Sequence, residues 1–104
     1  MDSPVLPELV VELDGGTLAS EADFHDRLAA QLGLPPWYGR DLNALWETLG
    51  GPDVPRPLRI VWKNSWASRE RLGDDYLRIV KILQRVAAED RRANRKHPLA
   101  LELR

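Results

Sequence analysis

The sequence predicts an α/β fold: a three-stranded parallel sheet packed with about four helices. Three observations carry the prediction. Short apolar runs at 9–13, 58–62 and 99–103 read as strands. Each interval between them holds two segments of helical periodicity, so the order is β-α-α-β-α-α-β. Strands separated by helices call for crossover connections, and those connections build parallel sheets. The chain of 104 residues has no internal repeat, no low-complexity segment and no long linker, so residues 1–104 read as a single domain.

Each element has a local reason. Leu9-Val10-Val11-Glu12-Leu13 reads as a buried strand, stopped by Asp14-Gly15-Gly16. Ser20 can cap the first helix, and Glu21 and Asp23 suit the positive end of its dipole. Phe24, Leu28 and Leu32 then share one face; Gly33 ends the helix and Pro35-Pro36 prevents a restart. Asp41 to Leu49 is the second helix, with Leu42, Leu45, Trp46 and Leu49 as its buried stripe. Gly50-Gly51-Pro52 stops it. Leu58 to Trp62 is the second strand, and a short third helix lies between Trp66 and Leu72.

Gly73 breaks that helix, and Asp74-Asp75 opens the longest one. Tyr76, Ile79, Val80, Leu83, Val86 and Ala87 share its inner face, while Arg78, Lys81 and Arg85 form a basic stripe elsewhere. The run Asp90 to His97 reads as a solvated helix end plus loop. Leu99-Ala100-Leu101-Glu102-Leu103 follows Pro98 as the final strand.

Composition narrows the classes. A hydrophobic fraction of 43% with 30% charged residues is globular rather than disordered. There is no cysteine, hence no disulfide framework and no thiolate metal site. The start of the chain has no basic stretch followed by a long apolar run, so no signal peptide is expected. No apolar run approaches the roughly 18 residues of a membrane span. A cytoplasmic location and no membrane partner are expected. The net charge of −1 hides a split: residues 1–54 carry −8 and residues 55–104 carry +7. Such a split either steers a charged partner toward one face or is neutralised within the fold.

Sites of chemistry are scarce. His25 and His97 lack metal-spaced partners, so no metal and no cofactor are expected. The glycine pairs 15–16 and 50–51 sit at element ends, where turn chemistry explains them. Serines 3, 20, 65 and 68 have no nucleophile context. With no catalytic constellation, the chain does not read as an enzyme. The stripe of Arg78, Lys81 and Arg85 near Trp66 is the one feature suited to nucleic acid, but charged helix faces are usually only solvated, and no nucleic-acid partner is expected.

The segment 35–51 carries most of the functional information. Trp37 and Tyr38 sit in a turn, and neighbours in a turn point different ways, so one should face in and one out. Gly39 lets the chain turn where a side chain would clash. Beyond it, Arg40, Asn43, Ala44 and Glu47 lie together, away from the leucine stripe, with Asn43 and Glu47 as i, i+4 neighbours. Trp46, by its position on the wheel, belongs with the core. Exposed aromatics beside small and acidic groups suit a protein interface.

This segment resembles the barstar family. Pro36-Trp37-Tyr38-Gly39, Leu42, Ala44-Leu45-Trp46 and Gly51 match the family's pattern of proline, aromatic pair, glycine and Leu-x-Ala-Leu-Trp helix. The element order and the strand Leu58 to Trp62 fit too, so the likeness spans nearly the whole chain, although only 35–51 is specific. The resemblance implies a barstar-like fold and an intracellular protein inhibitor of a secreted microbial guanyl-specific ribonuclease, barnase-like or related. Such a protein is monomeric when free and blocks the nuclease active site one-to-one through its loop-helix segment.

The resemblance also implies residue roles. Trp37 falls where the family covers the nuclease's catalytic histidine, with Tyr38 and Gly39 completing the turn. Asp41, Leu42, Asn43 and Ala44 fall at the rim of the cleft. Glu47 falls at the central acid that mimics the substrate phosphate. Trp46 matches the family's helix tryptophan, and Gly50 and Gly51 fall in a further contact loop. The chain departs from the pattern where the family has Asp in place of Asn43 and Glu47, Asn in place of Asp41, and an acid near Arg85. Those departures imply a cognate nuclease less basic than barnase. The competing reading is a barstar-like module that binds a different, non-nuclease protein.

Overall fold

The computed structural model describes residues 8–104. The reading of the chain start as lacking a signal peptide, and the first seven residues of the 1–104 domain, lie outside the described residues. β1 (Leu9–Asp14) leads through a short 3-10 turn (Gly15–Thr17) to α1 (Glu21–Leu32) and α2 (Leu42–Gly50). β2 (Leu58–Lys63) leads to α3 (Ser65–Leu72), α4 (Asp74–Arg92) and β3 (Ala100–Leu103). The sheet order is β1-β2-β3 and both pairings are parallel, with Val11 opposite Ile60 and Ile60 opposite Leu101. The α/β barstar-like architecture, a three-stranded parallel sheet with four helices, is as the sequence predicts.

One face of the sheet makes the core. Val11, Leu13, Leu58, Ile60 and Trp62 pack there against Phe24, Leu45, Leu49, Ile79 and Leu83. Trp62 is central: its ring stacks on Phe24 at 5.3 Å, meets Tyr76 edge-on at 5.1 Å, and its indole N–H donates to Ser68 Oγ at 2.9 Å. The buried indole is thus both packed and satisfied. The other face carries a charged ladder, Glu8–Arg59–Glu102, at 3.0 and 2.8 Å. β1 is therefore not buried on both faces as its sequence suggests; Val10 and Glu12 face outward. Gln31 closes its free edge, accepting from the Glu12 amide and donating to the Glu12 carbonyl. An edge strand capped this way has no free groups at that residue to pair with another chain.

The caps follow the sequence. Ser20 accepts from the Asp23 amide and Asp41 from the Ala44 amide. Gly33 is left-handed and ends α1. Asp14 accepts from the Gly16 amide and from Asn64, and the Asn64 bond is the main reason its carboxyl is held below the usual range.

A second expectation is overturned. Asp90 is not part of a solvated helix end; it is 4% exposed. Its carboxylate meets Arg56 Nε at 2.9 Å and accepts the Leu99 amide at 2.8 Å, while Arg56 also donates to the Leu49 carbonyl at 2.7 Å. The pair ties the end of α2, the 51–57 loop, α4 and the start of β3 to one point. The charge run hid this because Arg56, Asp90's partner, lies 34 positions away in the sequence.

Candidate functional site

The loop between α1 and α2 and the outer face of α2 enclose a groove of about 510 Å³. Its lining runs from Leu32 in α1 to Asp53 beyond α2. Trp37 is 82% exposed on it and Tyr38 only 6% exposed, so the aromatic pair divides as its turn position suggests. The left-handed residue in the turn is Arg40, not Gly39; Arg40 Nε is held by Asp26 of α1 at 2.8 Å. Gly39 eases space instead: a Cβ there would sit 3.1 Å from Ala44 Cβ, so that α2 would have to give by a few tenths of an ångström.

Beneath the turn lies an anchor that the sequence did not disclose. His25 is fully buried, its Nδ1 2.7 Å from the Tyr38 hydroxyl and its Nε2 3.0 Å from a Glu21 carboxylate oxygen. The carboxylate can only accept, so in the neutral imidazole Nε2 carries the hydrogen and Nδ1 accepts the Tyr38 O–H. Burial first, then the charges of Asp41 and Glu21, push the Tyr38 phenol well above its ordinary range, so it holds its proton as a donor. His25, set by the α1 stripe beside Phe24, thereby fixes the residue next to Trp37.

The α2 face is built from short side chains. Glu47 is exposed and accepts from Asn43 Nδ2 at 3.3 Å. Asp41 commits one carboxylate oxygen to the helix cap at 2.7 Å. Asp53 adds a third acid at the far end of the groove. Among the described residues none of these three acids has a cation within ion-pair distance, although Glu8–Arg59 and Lys63–Glu12 do bridge the acidic and basic halves. The charge split is therefore partly neutralised in the fold and partly left at this groove.

Of the eleven residues singled out from the sequence, Trp37, Tyr38, Gly39, Asp41, Asn43, Ala44, Glu47 and Gly51 line the groove. Leu42, Trp46 and Gly50 do not. Leu42 turns its side chain toward the core. Trp46 is half-buried, resting on the core with the Arg85 guanidinium 4.9 Å from its ring centre. Gly50 lines a separate cleft with Trp46. The end of α1 and the start of the loop, residues 32–35, together with Thr48, Pro52 and Asp53, complete the groove and were not singled out. Thr48 sits one turn after Ala44, a spacing that marked it as a neighbour of the recognition face.

Among the described residues there is no group of three or more potential metal-binding side chains, and no helix is long and apolar enough to cross a membrane. A family model described as Barstar (barnase inhibitor) matches residues 8–104. The chain is also similar to a Bacillus subtilis (strain 168) protein named "Putative ribonuclease inhibitor YrdF". The two are 39% identical over 75 residues, which cover 69% of this chain and 81% of that protein. By the extent of both matches, the chain belongs to the Barstar family.

Proposed function

We propose that the protein is a non-catalytic inhibitor of a secreted guanyl-specific ribonuclease. It binds one-to-one and occludes the active site with segment 36–51. The observation that supports this most is the groove itself: an 82% exposed Trp37 and three acids without cationic partners, on a fixed turn and helix, in a chain of this family. Glu47 is the acid best placed to meet the catalytic cations of a nuclease. Its neighbour Asn43 is a weak donor at 3.3 Å, whereas Asp41 is already engaged as a cap. An exposed carboxylate on a short-chain surface allows close approach, and its burial against cations in a complex makes it a candidate hot spot. Trp37 supplies a large rigid contact with few torsions to freeze.

The inhibitor acts in the cytoplasm of the cell that makes the nuclease, on this reading. The test is titration of purified guanyl-specific ribonucleases with the purified protein. Activity should fall linearly to zero at an equimolar ratio for a cognate enzyme, and the two proteins should co-elute on gel filtration. A folded protein that inhibits none of them would turn the account to a non-nuclease partner.

A further inference from the structure

Beside the recognition helix, the seam between α2 and α4 opens into a cleft of about 330 Å³. Trp46 and Gly50 form its α2 wall, Val86 and Glu89 its α4 wall, and Ala93 and Arg95, just beyond α4, close its end. With about 100° between successive helical residues, Trp46 and Gly50 lie on one side of the Asn43–Glu47 crest, and Ala44 and Thr48 on the groove side. The crest is flanked by two concavities, the acid-lined groove and this seam.

Beside this cleft, though not lining it, the seam carries a cation on the Trp46 ring. The Arg85 guanidinium lies 4.9 Å from the centre of the Trp46 ring. A guanidinium held on an aromatic face keeps its in-plane N–H fork free for another acceptor. Among the described residues no carboxylate is within ion-pair distance of Arg85, or of Lys81 one turn earlier on α4. The acids that line the cleft are committed elsewhere: Glu89 to Arg92 at 3.1 Å, Asp90 to Arg56 at 2.9 Å. The seam therefore presents a pre-positioned cation with no partner of its own, at the border of the recognition helix.

We propose that this seam is a second subsite of the partner-binding surface, in which Arg85, seated on Trp46, receives a carboxylate of the bound ribonuclease. The proposal rests on the inhibitor reading above. It requires a target of mixed sign, with cations where Glu47 docks and an Asp or Glu where the seam docks. A planar fork on a rigid seat favours bidentate pairing, so the target's acid is selected by geometry as well as by charge. A nuclease uniformly basic across this face would meet Lys81 and Arg85 with like charge and be rejected. Arg85 is on this account a specificity-determining residue.

The probe is each guanyl-specific ribonuclease that the wild-type protein inhibits, drawn from a panel that spans acidic to basic enzymes. Dissociation constants are measured for wild type, Arg85→Glu, Arg85→Lys and, as a matched charge change away from the seam, Arg69→Glu. Arg85 and Arg69 are exposed, so the variants should melt with the wild type. Arg85→Glu should weaken binding at least about 30-fold, mainly through faster dissociation. Arg85→Lys, which keeps the charge and loses the fork, should weaken it by about fivefold. Arg69→Glu should change it by less than about twofold. Inhibition that survives Arg85→Glu within twofold, or improves, overturns the subsite and leaves the inhibitor reading standing. A wild type that inhibits no member of the panel overturns both.

Discussion

The Tyr38 hydroxyl lies 2.7 Å from Nδ1 of His25, in the core, while the preceding residue, Trp37, stands 82% exposed. The recognition turn is thus held from inside by a polar contact. Tyr38→Phe would leave a fully buried ring nitrogen without its donor, which costs about 1–3 kcal/mol. Urea unfolding at neutral pH should register that loss. A change below about 0.5 kcal/mol would mean the contact does not anchor the turn.

The same contact has a pH signature. The folded Tyr38 phenol titrates above its ordinary value of 10.0. Below that value folded and unfolded chains both hold the proton, and the advantage of Tyr over Phe is complete. Above it the unfolded chain loses the proton first, so the advantage shrinks with rising pH, by about 1.4 kcal/mol per unit. The stability gap between wild type and Tyr38→Phe should therefore be flat below about pH 9 and narrow above about pH 10. A gap that stays constant through the alkaline range would contradict the assignment.

The Arg56–Asp90 pair is the other buried polar junction. Asp90→Asn leaves the Arg56 guanidinium nearly buried without a counter-charge, a change that costs about 3–5 kcal/mol. Against a total of about 5–15 kcal/mol, the variant should unfold at markedly lower denaturant. Loss of less than about 1 kcal/mol would show that the junction is solvated in solution.

The fold was legible in the sequence because every strand has its apolar run and the first two helices have their side-chain caps. Ser20, Asp41 and Gly33 mark ends where the structure has them, while α3 and α4 start without a side-chain cap and are set off by the Gly73 break. The groove was legible on its α2 side, where one helical wheel gathers Asn43, Ala44 and Glu47. What stayed hidden are the contacts between residues distant in the chain. His25 reaches Tyr38 across 13 positions and Arg56 reaches Asp90 across 34, and no local pattern announces either. Trp46 followed its leucine stripe only halfway, because Arg85 of α4 covers the side the core leaves open.

Trp37 separates binding from folding. It is exposed and makes no core contact, so Trp37→Ala should shift stability by less than about 0.5 kcal/mol. As an aromatic anchor it should lower affinity for the target by at least about 2 kcal/mol. Calorimetric binding beside thermal melting would show the division; equal loss in both would return Trp37 to a structural role.

The most direct test of the account is the inhibition of a cognate guanyl-specific ribonuclease by Glu47→Ala beside the wild type. Glu47 is exposed and bonded only to Asn43 among the described residues, so the variant should fold as the wild type does. The account predicts equimolar inhibition by the wild type and an affinity weakened by at least about 2 kcal/mol in the variant. Inhibition unchanged within about 0.5 kcal/mol would contradict the claim that this helix face enters the active site.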